Sequence, residues 1–175
     1  MKVSVFCDAS FDRKSRAGGV GVYFQSRNED ASVSMPVTGM LDCNHGELFA
    51  LFVVLVSLER NADDLKSLHV TVYVDSDFVF ELVNSKREPS PERFNENMLV
   101  SNIKSNMQKF KAVELVCLKS HQGKSPLGMA NEHADRLAKK AMRNLRDNKV
   151  TSVNLNDTEA LAKQLFTTTT YAEVS

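Results

Sequence analysis

At 175 residues, 42% of them hydrophobic, the chain is long enough for one well-buried domain and too short for two. Its 22 basic and 22 acidic side chains cancel and the pI is near 6.9, so no global field draws it to nucleic acid, and only local basic patches remain for that purpose. No apolar stretch is long enough to span a bilayer, and the run ending at Phe6 is too short for the core of a signal peptide, which excludes a membrane protein and an exported one on this reading.

Residues Lys2–Asp8 alternate and are rich in Val and Phe. Gly18, Gly19 and Gly21 then lead into Val20–Phe24, and Ser32–Met40 offers a third extended run. Tight turns between them predict an antiparallel opening, with the glycines serving turn and strand geometry. From Asn44 to Asn61, Leu48, Leu51, Phe52, Leu55 and Leu58 recur at helical spacing, and Glu47 lies one turn before Leu51 on the same buried face. An inward carboxylate there is unfavourable unless something cationic compensates it. His69–Asp75 is a β-branched and aromatic strand that ends on an acid, and Asp75, Ser76 and Asp77 can cap a helix over Phe78–Asn84. Residues Lys86–Pro91 break the chain before a polar helix over Glu92–Phe110, and Val113–Leu118 is a fifth strand. A loop with His121, Gly123, Pro126 and Gly128 precedes a helix over Ala130–Arg146, in which Asn131 and Asp135 share a face. The order is β-β-β-α-β-α-α-β-α.

Composition shifts to Asn, Thr and Ser beyond Asp147, which divides the chain into a domain over 1–148 and an extension over 149–175. Asn156 and Glu159 can cap one short helix carrying Leu161, Ala162, Leu165 and Phe166. Laid over exposed core it is structural; an oligomer contact or a partner-binding segment is the alternative. Cys7, Cys43 and Cys117 are odd in number and widely separated, and they suit free thiols in a reducing, cytoplasmic compartment better than disulfides or a zinc site.

Four acids, Asp8, Glu47, Asp75 and Asp135, fall at strand or helix junctions, the first three at one end of a sheet and its flanking helix. Hard divalent cations take oxygen ligands, and a pair of them about 4 Å apart needs such a cluster of mutually repelling carboxylates. The residues themselves therefore point to metal-dependent phosphodiester chemistry. Taken singly, Asp75 is equally a helix cap, and the basic residues of the last helix (Lys139, Lys140, Arg143, Arg146) are equally a solvated face. Lys119, Lys124, Arg13, Lys14 and Arg16 carry the same ambiguity between surface charge and phosphate contact.

The motifs Asp8-Ala-Ser, Asn44-His-Gly-Glu47, Tyr73-Val-Asp-Ser76, Lys119-Ser-His-Gln-Gly123 and Asn131-Glu-His-Ala-Asp135-Arg-Leu-Ala138 occur in one order on these elements. In this the stretch Met1–Leu145 resembles the type 1 ribonucleases H, which cut the RNA strand of RNA–DNA hybrids. The resemblance implies an RNase H-like α/β fold, a five-stranded mixed sheet with three antiparallel strands and then two parallel ones, flanked by helices. It also implies an endoribonuclease in which Asp8, Glu47, Asp75 and Asp135 hold two Mg²⁺ ions, with Mn²⁺ able to substitute, and which leaves 5′-phosphate and 3′-hydroxyl ends. His121 would be the mobile histidine that shuttles protons or helps product leave. Ser10, Asn44 and Asn131 would contact substrate, Asn44 approaching the minor groove, where the 2′-hydroxyl marks RNA. Spacing alone makes Asn44 a plain helix cap just as readily. The chain is expected to act as a monomer on an RNA–DNA hybrid, with no membrane partner.

This sequence departs from the family pattern in three places. It has no Trp, and the basic protrusion that grips substrate in some members is missing from Lys86–Met98; Asp77 stands where Gln is common; and a long interval separates His121 from Asp135. Two rivals follow: a catalytically silent module that binds hybrid or RNA, and another nuclease of the superfamily acting on DNA junctions or ends. Four retained acids argue against the silent module, since a binding module has no use for a repulsive cluster.

Overall fold

The computed structural model describes residues 1–27, 29–118 and 125–155 and the backbone of 170–171. Strands β1 (Lys2–Phe11), β2 (Gly18–Gln25) and β3 (Asp30–Thr38) form an antiparallel meander. On the other side of β1 lie β4 (His69–Val74) and then β5 (Ala112–Cys117), both parallel to their neighbour. β1 is thus a central strand, and Val5, Phe6 and Cys7 in succession are buried, as a strand covered on both faces requires.

Alternation along β1 sorts the two layers. Val3, Val5 and Cys7 join the main core with Leu48, Phe49, Leu51 and Leu55 of helix α1 (Cys43–Asn61), whereas Phe6 turns to the opposite face with Ala130 and Ala134 of helix α4 (Pro126–Arg146). Helix α2 (Asp77–Val83) follows β4, and α3 (Phe94–Met107) packs on α1 through Val100 and Ile103. On the α4 side the seam is built from small residues. A Cβ placed on Gly21 would stand 2.0 Å from the Ala134 carbonyl oxygen, and one on Gly19 would stand 2.2 Å from that of Ala138. These glycines lie in a strand, as the sequence suggests, but what their bare backbone serves there is the close approach of a helix and not a turn. The Ser34 hydroxyl donates to the Leu137 carbonyl at 2.9 Å and ties β3 to the same helix.

Among the described residues the sheet has seven strands where five are expected. Past Asp147 the chain returns to the β3 edge: β6 (Val153–Asn154) pairs parallel with Val37 and Thr38, and β7 (Thr170–Tyr171) pairs antiparallel with Ala31 and Ser32. Each is two residues long and held by backbone groups, so side-chain patterning gives no warning of it. The helix predicted from Asn156 to Phe166 lies outside the described residues.

Two boundaries differ from the sequence reading. Helix α4 begins at Pro126, a turn before the predicted start, because the Ser125 hydroxyl accepts the Gly128 amide at 3.1 Å and proline at the first helical position has no hydrogen bond to lose. β1 runs on to Phe11, three residues past Asp8, because its pairing with β2 continues to Phe11–Gly18 after the last β4 pair, Phe6–Tyr73. Among the described residues, no helix is long and apolar enough to cross a membrane.

Candidate active site

Where β4 stops pairing with β1, the two strands present acids side by side: Asp8 stands two residues beyond Phe6, and Asp75 two beyond Tyr73. Asp8 therefore lies inside the β1–β2 hairpin and only just past the parallel ladder, not at a strand end as expected. Glu47 comes to the pair from the second turn of α1. One carboxylate oxygen from each of Asp8, Glu47 and Asp75 lies within 4.8 Å of the others.

Burial is graded across the group, from Asp8 at 8% exposed through half-buried Glu47 to exposed Asp75. Loss of water and then the neighbouring Asp75 push the Asp8 carboxyl up to about 8, helped by Asp135 and Glu47 and opposed by the Ala9 N–H, which donates to it at 2.6 Å. Burial also raises Glu47, with Asp75 and Asp42 adding and the Ser76 hydroxyl pulling the other way. The Glu47 Oε2 atom is buried without a hydrogen-bond partner among the described residues. Oxygens crowded, desolvated and short of donors are what a hard divalent cation requires of its ligands, so the residues present fit such an ion.

Asp135, the fourth predicted acid, sits on α4 close enough to raise Asp8, yet it stands outside the three-oxygen group and pairs with Lys139 at 2.8 Å. Asn131, one turn earlier, has its Oδ1 buried with no partner among the described residues. Ser10 follows Asp8 by two on β1, half-buried and opposite Gly19. His121, Lys119 and Lys124 lie outside the described residues.

Two capping alternatives are settled by geometry. Asp42, not Asn44, caps α1: its Oδ1 accepts the His45 amide at 2.9 Å, which leaves Asn44 half-buried in the first turn with no side-chain hydrogen bond among the described residues. Ser76, not Asp75, caps α2, accepting the Val79 amide at 3.4 Å. Both Asn44 and Asp75 are thereby released from the structural role that spacing allowed them.

Asp42 was missed by the sequence reading, as were its partners. Its second oxygen binds the Arg93 guanidinium, and the same Arg93 nitrogen lies 2.6 Å from Oε1 of Glu96, an ion pair by distance rather than a hydrogen bond. Glu96 is only 2% exposed. Buried His45 accepts the Leu41 amide on Nδ1 at 3.2 Å, and burial lowers its pKa, consistent with the neutral ring that such an acceptor needs. An Asp just before the helix and an Arg–Glu pair three apart were the available signals. All three cysteines are free, Cys7 buried, Cys43 exposed at the first turn of α1, and Cys117 donating to Asp77 at 3.2 Å.

The sequence pattern of the RNase H family matches residues 1–143. The chain belongs to the RNase H family. Solved structures agree on the fold. The N-terminal RNase H domain of a Mycobacterium tuberculosis protein, solved as a fusion with maltose-binding protein, superposes with a TM-score of 0.64 at 18% identity over 81% of this chain and 99% of that one. RNase H1 from the halophilic archaeon Halobacterium salinarum gives 0.64 at 16% identity over 82% and 99%. LC9-RNase H1, described as a type 1 RNase H with the type 2 active-site motif, gives 0.64 at 19% identity over 82% and 72%. None of the curated proteins compared with the sequence matches it. The RNase H domain of this chain thus carries the type 1 resemblance read from its motifs, with two short strands added at the β3 edge.

Proposed function

We propose that the chain hydrolyses the RNA strand of RNA–DNA hybrids with the help of two divalent cations, Mg²⁺ or Mn²⁺, leaving 5′-phosphate and 3′-hydroxyl ends. The observation that carries this reading is the convergence of the Asp8, Glu47 and Asp75 oxygens within 4.8 Å, in a group whose burial and mutual repulsion push two of its carboxyls upward. Family membership supplies the substrate class.

Asp8, Glu47 and Asp75 would hold the cations, with Asp135 closing the set from α4. When bound, the cations lower the pKa of the attacking water and stabilise charge on the leaving 3′ oxygen. The chain's own part is orientation. Asp8 is fixed by strand pairing on one side and by the Ala9 amide on its carboxylate, so its oxygens have little freedom to turn away. Asn44, free of capping duty, presents its amide beside Glu47 toward the minor groove of a hybrid, with Ser10 on the neighbouring strand. Asn131 keeps an acceptor next to Asp135, and His121 would move the proton between water and product.

The test labels each strand of an RNA–DNA hybrid in turn, adds Mg²⁺ or Mn²⁺, and compares the wild type with Asp8→Asn. Cutting confined to the RNA strand and lost in the variant is the expected result. Hybrid binding with no cleavage by the wild type would instead mark a silent binding module, and cutting of DNA junctions or ends would mark another nuclease chemistry.

A further inference from the structure

We propose that Arg93 is a positioning residue of the cleavage site: by tying the Asp42 carboxylate at the start of α1 to the buried Glu96 on α3, it fixes the helical turn that presents Asn44 and Glu47. The proposal deepens the hydrolase reading and rests on it. Both oxygens of Asp42 are committed, Oδ1 to the His45 amide as the helix cap and Oδ2 to Arg93. On its far side the same guanidinium nitrogen meets Glu96, whose helix is locked to α1 by Val100 and Ile103. Arg93 therefore joins the mouth of one helix to a fixed point on the next.

A tether is needed at that place. Glu47 follows Asp42 by five residues on one continuous helix, so at about 1.5 Å of rise per residue any slip of the cap is carried directly to the carboxylate. That carboxylate stands within 4.8 Å of those of Asp8 and Asp75, so the turn that presents it needs an anchor outside the acid group, and Arg93 supplies one at Asp42. Burial of an ion pair seldom adds stability over an apolar pair of the same shape, so a carboxylate as enclosed as Glu96 argues for geometry as its use.

Two variants test this without unfolding the protein. Asp42→Ser keeps a hydroxyl to cap α1 and leaves the Arg93–Glu96 pair whole; Arg93→Met combined with Glu96→Leu replaces that pair, buried on its Glu96 side, by apolar side chains and leaves Asp42 to cap. Each should melt close to the wild type while its Mn²⁺ dissociation constant, read by titration calorimetry, rises about tenfold and hybrid cleavage falls by a similar factor. Arg93→Lys should recover part of the loss. Wild-type Mn²⁺ affinity in both variants overturns the proposal, and so does weakened binding in Asp42→Ser alone, which would assign the effect to the Asp42 charge. A wild type that binds Mn²⁺ yet cleaves no hybrid refutes the hydrolase reading while the change in Mn²⁺ affinity still tests the tether, and one that binds no Mn²⁺ overturns both.

Discussion

Substituting Gly21 by alanine should disable the protein through a helix that it merely touches. The added Cβ would lie 2.0 Å from the Ala134 carbonyl oxygen and 2.6 Å from the Ala138 nitrogen, both backbone atoms of α4. Neither can rotate aside as a side chain does. To restore even a tight contact of about 3 Å, α4 must withdraw by about 1 Å, opening the seam that Ala134, Ala138 and Ala141 close. Overpacking of this kind costs about 1–3 kcal/mol, and a clash with two backbone atoms belongs at the upper end, so for a chain of this length the melting temperature should fall by about 6–12 °C. The helix carries Asp135 and Asn131, and a displacement of about 1 Å in a catalytic group lowers the rate by about a hundredfold. Thermal melts and initial rates on a labelled hybrid, measured well below the melting point of the variant, separate the two effects. Gly18→Ala is the milder comparison, because its nearest neighbour is the flexible Met40 thioether at 2.5 Å and its one close backbone contact, the Val37 carbonyl oxygen, stands at 2.9 Å rather than 2.0 Å, so both effects should be smaller. Wild-type melting and rate for Gly21→Ala would refute the close approach and the role assigned to it.

Asp8, whose carboxyl is raised from 3.8 to about 8, keeps in the folded state a proton that the unfolded chain releases, so its contribution to stability is full below pH 4 and is lost as pH climbs toward 8. Asp8→Asn should flatten that slope, melt about 5 °C or more above the metal-free wild type at pH 8, and cleave nothing; equal pH slopes in differential scanning calorimetry would contradict the assignment. Asn44→Ala should leave the melting temperature unchanged, since Asp42 holds the cap, and raise KM for the hybrid several-fold; a fall in stability with unchanged KM would return Asn44 to a structural role. Val153→Asp buries a charge against the core and should cost about 3 kcal/mol or more in urea unfolding, whereas a neutral result would show that β6 does not hold the β3 edge.

Side-chain periodicity carried most of the fold. The alternation of Val3, Val5 and Cys7 against Phe6, and the leucines of α1, placed the strands and the buried helix because burial of apolar faces decides those elements. The acids were legible for a similar reason: Asp8 and Asp75 end runs of Val, Phe and Tyr, where a charge has no place unless the chain turns it to use. What sequence withheld was decided by backbone atoms or by partners far along the chain. The tail strands are joined by main-chain hydrogen bonds, the Gly19 and Gly21 contacts are defined by empty space, and the Asp42–Arg93 pair spans 51 residues. Pro126 was misjudged because the same ring that breaks a helix interior opens one at its first position.

Lys139 gives the site an exchangeable counter-ion. It holds Asp135 across one turn of α4 with both side chains partly open to water, a pair of the sort that contributes about 0.3–0.5 kcal/mol and parts readily. On the proposed function, a cation at the carboxylate and a phosphate at the ammonium would each take over one half of it, and the pair would part as the two arrive.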